Sequence, residues 1–180
     1  IDSSLTELVN EHVKRVQQRM EELESANKSL RMEAIRLSKG KCTYTWEVST
    51  HMFEHLKNRA GTLVESQPFF VDGREFKIEI GHNEKVEQGY LEYYLHCLDA
   101  TPLNPCTAQV ILRLLHNGRP GFYTHHYASQ QMKFSVEGRE GFGTDQFCEL
   151  HVLNVSNFHH QQQSTVWKFQ VEVNVIPNSK

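Results

Sequence analysis

Apolar residues recur at alternating gaps of four and three along the start of the chain: Val9, Val13, Val16, Met20, Leu23, Leu30, Ala34 and Leu37, with Asn27 holding one place in the series. On a heptad, Val13, Met20, Asn27 and Ala34 occupy a, and Val9, Val16, Leu23, Leu30 and Leu37 occupy d. The run contains neither Pro nor Gly, and its period of 3.5 is that of a left-handed coiled-coil seam. A helix packed on its own domain carries a wider apolar stripe than strict a and d. The pattern therefore predicts a long helix that associates with other copies. Asn27 at an a position favours a parallel arrangement in fixed register, because its amide is satisfied by its counterpart. Arg19 at g and Glu24 at the following e position suit a cross-helix ion pair. Leu5 and Leu8 fall out of phase with Val13, which predicts a stutter near Glu11–His12 or a frayed start.

The period changes to two after Ser38-Lys39-Gly40. Trp167, Phe169, Val171, Val173 and Val175 alternate with Lys168, Gln170, Glu172 and Asn174, a half-buried strand. Strand-like runs also occupy Tyr44–Val48, Phe76–Ile80, Tyr90–Leu98, Thr107–His116, Gln131–Ser135 and Phe147–Leu153. Asp72-Gly73, Gly81-His82-Asn83, Pro102 to Pro105 and Asn117 to Gly121 supply turns, and Met52–Arg59 suits one short helix. The expected architecture is mainly β with an N-terminal helix: a parallel coiled coil over 1–38, then a seven- to eight-stranded antiparallel β-sandwich over 39–180. Leu91, Tyr93, Leu95 and Cys97 fall on the core face of their run, as do Ala108, Val110, Leu112 and Leu114 of theirs. Tyr90, Tyr94 and Ile111 then face outward, a partly apolar patch if the two strands are neighbours.

Several segments resemble the MATH (meprin and TRAF homology) domain, preceded by the coiled coil of the TNF-receptor-associated factors. They are Tyr44-Thr45-Trp46-Glu47-Val48, Glu65-Ser66-Gln67-Pro68-Phe69 for an S-x-x-F element, and Gly73 with Phe76 to Ile80. Tyr90-Leu91-Glu92-Tyr93-Tyr94-Leu95 follows, then Gly141-Phe142-Gly143-Thr144-Asp145-Gln146-Phe147. The resemblance implies an eight-stranded sandwich that takes short extended peptides into a shallow groove by β-augmentation. By position that groove would use Tyr90, Ile111, Met132, Phe142 and Thr144. Substrate-adaptor members have tryptophan and phenylalanine where this chain has Phe142 and Thr144. Receptor-binding members carry an arginine and a tyrosine near Glu79 and Gly81, so the reading of an acidic peptide by that arginine does not carry over. The family commonly trimerises, whereas Asn27 with Leu23 and Leu30 at d leans toward a parallel dimer; the resemblance points to a homotrimer.

With 180 residues and a net charge of −3, the chain offers no electrostatic case for nucleic acid. No apolar run reaches the roughly 18 residues of a membrane span. Cys42, Cys97, Cys106 and Cys148 show no C-x-x-C spacing and read as free thiols of a reducing compartment. Asn27-Lys-Ser and Asn154-Val-Ser match a glycosylation pattern, but a glycan on Asn27 would block the seam, so a cytoplasmic location is expected. The first residue is Ile1 rather than Met, consistent with a piece of a longer protein. Eleven histidines include the pairs His125-His126 and His159-His160, whose neighbours point to opposite faces of a strand and do not chelate together. No metal-ligand spacing, nucleophile motif or phosphate loop is present; Gly138 to Gly143 lacks the Lys-Ser/Thr that a phosphate loop requires.

No cofactor and no enzymatic activity are therefore expected. The sequence points to an oligomeric adaptor that binds peptide segments of receptors or substrates. If a RING lies upstream, it is the targeting half of a ubiquitin ligase. The alternative is a self-associating structural module without peptide binding, and a histidine-based hydrolase or sugar-binding sandwich is the remaining class.

Overall fold

The computed structural model describes residues 3–37, 40–83, 85, 89–115, 123–135, 141–153 and 166–178. The chain divides into two compact units, 1–37 and 38–180.

The first unit is one helix, α1 (Ser3–Leu37), continuous through Glu11–His12. At about 1.5 Å per residue it is roughly 50 Å long. Its polar face carries the pairs Glu11–Arg15 at 2.6 Å and Arg19–Glu22 at 3.4 Å, each worth only tenths of a kcal/mol. In the single chain Val9, Val13, Val16, Met20, Leu23 and Leu30 are 45–71% exposed. Nothing within this unit covers the seam.

The second unit is a two-sheet antiparallel sandwich. Its elements are β1 (Lys41–Ser49), α2 (Thr50–Asn58), β2 (Leu63–Glu65), β3 (Phe69–Val71), β4 (Arg74–Asn83), β5 (Tyr90–Cys97), β6 (Cys106–Leu115), β7 (Tyr123–Phe134), β8 (Gly141–Glu149) and β9 (Val166–Ile176). One sheet has the order β1-β9-β6-β7; the other has β2-β4-β5-β8, with β3 also on β4. Nine strands are described where the alternation gave seven or eight, because β2 and β3 are three residues each and too short to show a period. The S-x-x-F element lies between them. Ser66 accepts the Ile78 N–H on its hydroxyl at 2.9 Å and donates its own N–H to Ile78 O at 2.8 Å, while Phe69 stacks on Tyr44 at 4.1 Å. Asp72 and Gly73, both with positive φ, make the two-residue turn between β3 and β4, which a hairpin with right-handed twist requires.

Three other expectations change. β7 begins at Tyr123, well before the run at Gln131. β8 begins at Gly141 and ends at Glu149, and Leu150–Val152 form a 3-10 turn instead of continuing the strand. β5 and β6 belong to different sheets. The segments 117–121 and 154–165 lie outside the described residues, as do Ser38 and Lys39, and with them the Asn117 to Gly121 turn, the glycosylation pattern at Asn154 and the His159-His160 pair.

The interior matches the alternation. Leu91, Tyr93, Leu95, Ala108, Val110, Leu112, Leu114, Phe169, Val171 and Val173 are fully buried. Aromatic contacts join the sheets: Tyr93 meets Phe169 edge-on at 5.4 Å, and Phe76 meets Phe134 at 6.0 Å. Ser49 caps α2 by accepting the Met52 N–H at 3.1 Å. The helix drives Phe53 onto Trp167 at 4.2 Å, so its apolar side completes the core. Phe169 also touches Trp46 and Phe53. Phe169→Ala is expected to cost about 3–5 kcal/mol, read from the midpoint of urea unfolding; a loss under about 1 kcal/mol would show that the two sheets do not share this core.

Candidate functional site

The five residues expected to share a groove do not share one surface. Ile111 on β6 sits opposite Ala128 and Glu172 on the outer face of the four-stranded sheet. Tyr90 lies on the outer face of the other sheet, where its hydroxyl donates to Glu149 at 3.2 Å. The patch that required β5 and β6 to be neighbours is therefore absent. Met132 pairs with Ala108 and packs on the core, and Phe142 pairs with Leu95 and is buried. Phe142 stacks on Tyr127 at 5.1 Å, where β7 and β8, the last described strands of the two sheets, come together. Thr144 pairs with Tyr93 and accepts the Gln146 N–H at 3.1 Å. Phe142, Tyr127 and Thr144 thus gather at one edge of the sandwich, with Tyr90 farther along that sheet's outer face.

Among the described residues β8 has a partner on one side only, since β5 pairs with it and no described strand lies beyond it. Such an edge presents unpaired N–H and C=O groups. Its first half lies unusually close to β5: a side chain at Gly143 would meet Tyr93 O at 1.9 Å and Tyr94 Cα at 2.8 Å. At Gly141 it would meet the His96 ring at 2.8 Å. Two glycines therefore put no side chain of β8 over Tyr94 or His96. Farther on, Asp145, Gln146 and Phe147 face the single residue Glu92, a bulge of the kind often found beside functional sites. Asn83 fixes this bulge by donating to Asp145 O at 3.1 Å.

The outer face here is acidic. Glu92 places its carboxylate over Gly81, 2.8 Å from where a side chain there would begin. Burial, then the charges of Asp145 and Glu79, push the Glu92 carboxyl above its ordinary range. Burial and the same acidic neighbourhood raise the Tyr94 phenol. Glu79 is held below its ordinary range by its hydrogen bond to His96, whose Nε2 lies 3.4 Å from Glu79 Oε1. His96 Nδ1, buried, has no hydrogen-bond partner among the described residues. On the opposite sheet the charges balance: Glu172 meets Lys41 at 2.7 Å and Arg113 at 3.3 Å, and Lys168 meets Glu47 at 3.4 Å.

All four cysteines are free, with Cys97, Cys106 and Cys148 buried and Cys42 half-buried. Burial pushes the Cys148 thiol up to about 12. Cys97 donates to Asp99 at 3.3 Å, and Arg74 lies 3.4 Å from the same carboxylate. Cys106 and Arg74 line an open pocket of about 180 Å³ on a different part of the unit. Among the described residues no group of His, Cys, Asp and Glu is arranged to hold a metal ion, and no helix is long and apolar enough to cross a membrane.

The MATH domain family matches residues 43–173, and the chain belongs to that family. Among solved structures, one similar chain is TRAF5 of Notothenia coriiceps, at 17% identity, with 98% of each chain covered and a TM-score of 0.48. No curated protein matches the chain.

Sequence alternation placed Tyr90 and Tyr94 outward, and it puts Glu92 and His96 on the same face. Asp145 had no such signal, because the bulge breaks the period at that point. The Glu92 carboxyl, raised in the folded state, binds more protons there than in the unfolded chain between its two pKa values. Its charge therefore lowers stability above the ordinary carboxylate pKa, and the penalty disappears below it. Glu92→Gln is expected to raise stability at pH 7 by roughly 0.5 kcal/mol and to match the parent at pH 4. Thermal melts at the two pH values check this, and destabilisation at pH 7 would contradict it.

Proposed function

We propose that this chain is the oligomerising and targeting part of an adaptor. The helix of 1–38 joins copies through the seam Val9 to Leu37, as a parallel homotrimer, and each head of 39–180 binds one extended segment of a partner protein. The unpaired side of β8 carries this reading: a peptide that adds there as a further strand completes backbone hydrogen bonds left open by the sandwich. Phe142 and Thr144, with Tyr127, flank the edge, and Tyr90 lies beyond the bulge; Met132 supports it from inside, and Ile111 stands apart. Modest affinity per head is multiplied when several heads meet clustered targets, by roughly 10²–10⁴ where the spacing allows. A cytoplasmic setting, signalling receptors or ubiquitin-ligase substrates as targets, and a ligase module elsewhere in the native protein all fit this role.

The test is to select peptides from a displayed random octapeptide library on the full chain, then follow amide hydrogen exchange with a selected peptide bound. Slowed exchange across Gly141–Glu149, with little change in β1, is the expected result. No retained peptides, or protection confined to other strands, would leave a structural self-association module as the better description.

A further inference from the structure

The β8 edge has a chemical preference written beside it. Glu92 lies opposite the β8 bulge that carries Asp145, and the charges of Asp145 and Glu79 add to the burial that raises the Glu92 carboxyl. Of the positive groups acting there, Lys85 and His82 oppose Glu92 from the β4 side, Lys77 is engaged with Glu65, and His96 is engaged with Glu79. Asp145 is exposed and its backbone carbonyl is held by Asn83. The Tyr94 ring lies in the same field, 6.3 Å from His96, and Gly141 and Gly143 contribute no side chain that would cover either ring. His96 has only 9% of its side chain exposed, yet its Nδ1, turned toward Gly141, is without a hydrogen-bond partner among the described residues. Neighbouring carboxylates, an aromatic ring that no side chain of Gly141 or Gly143 covers and a ring nitrogen without a partner among the described residues are not what packing alone calls for. They are complementary to one kind of group, a side-chain cation that can be paired with carboxylates while resting on an aromatic ring.

The geometry points to a cation-reading subsite: Tyr94, Glu92 and Asp145 receive a lysine or arginine side chain of the partner segment paired along β8, and His96 Nδ1 bonds the segment's polar groups. This rests on the peptide-docking reading and adds to it the sign of the partner. Pairing with the cation offsets the burial and like charge that raise the Glu92 carboxyl in the free head.

The same octapeptide selection decides the matter when run on the parent chain and on a Glu92→Gln/Asp145→Asn variant that melts no lower than the parent. The expected outcome is a parent pool with Lys or Arg fixed at one position, whose peptides bind the variant about tenfold more weakly and lose affinity with added salt in the parent only. Tyr94→Leu, which keeps an apolar surface but removes the ring, is expected to weaken the same peptides severalfold. Peptides that protect β8 but carry no enriched cation would overturn the subsite and leave the docking reading standing. Cationic peptides bound equally by parent and variant would also overturn it. Failure to retain any peptide would remove both.

Discussion

A helix of 35 residues with a seam two positions wide cannot bury that seam by itself, and this constraint governs how the chain is used. Six large apolar side chains stand in solvent along it. Fully burying such a side chain is worth about 1.5–3 kcal/mol, so association offers on the order of 10 kcal/mol per chain before its entropic costs. The intrahelical ion pairs are exposed and supply far less. In the proposed oligomer the helix would draw its stability from other copies, and Asn27 would give up part of it for register.

The head solves a different problem. Its two sheets are locked by aromatic contacts through Tyr93 and Phe169, and the Tyr93 hydroxyl reaches across to donate to Gln170 O at 2.9 Å. A core this closed permits irregularity at the margin. β8 lies against β5 at glycine distance and bulges opposite Glu92, and among the described residues no strand pairs with its other side. Carboxylates that repel one another tend to be found where function is favoured over stability. Their balanced counterparts on the opposite sheet show what a face without that demand looks like.

Much of this was legible in the residues. The 3.5 period ended where the helix ends, and period two sorted the inner from the outer residues of β5, β6 and β9, with His96 of the outer set buried and Val175 of the inner set only partly so. Periodicity failed where length or regularity failed: β2 and β3 are three residues each, and the β8 bulge hid Asp145. Spacing along the chain also could not say which strands are neighbours. Tyr90 and Ile111 both face outward as expected, but from different sheets, so the patch assembled from them dissolves. Phe142 read as a groove residue and proves to be a buried one, whose ring meets Tyr127 at the rim. The face that replaces the expected patch was half visible, since Tyr90, Glu92, Tyr94 and His96 follow one alternation.

Association through the seam is the claim on which multivalent display depends, and the mass of the intact chain in solution tests it most directly. Light scattering across a dilution series is expected to give three times the chain mass of 21.0 kDa. Twice that mass would keep the coiled coil and replace the trimer with the dimer that Asn27 favours. A single 21.0 kDa species at every concentration would contradict the account.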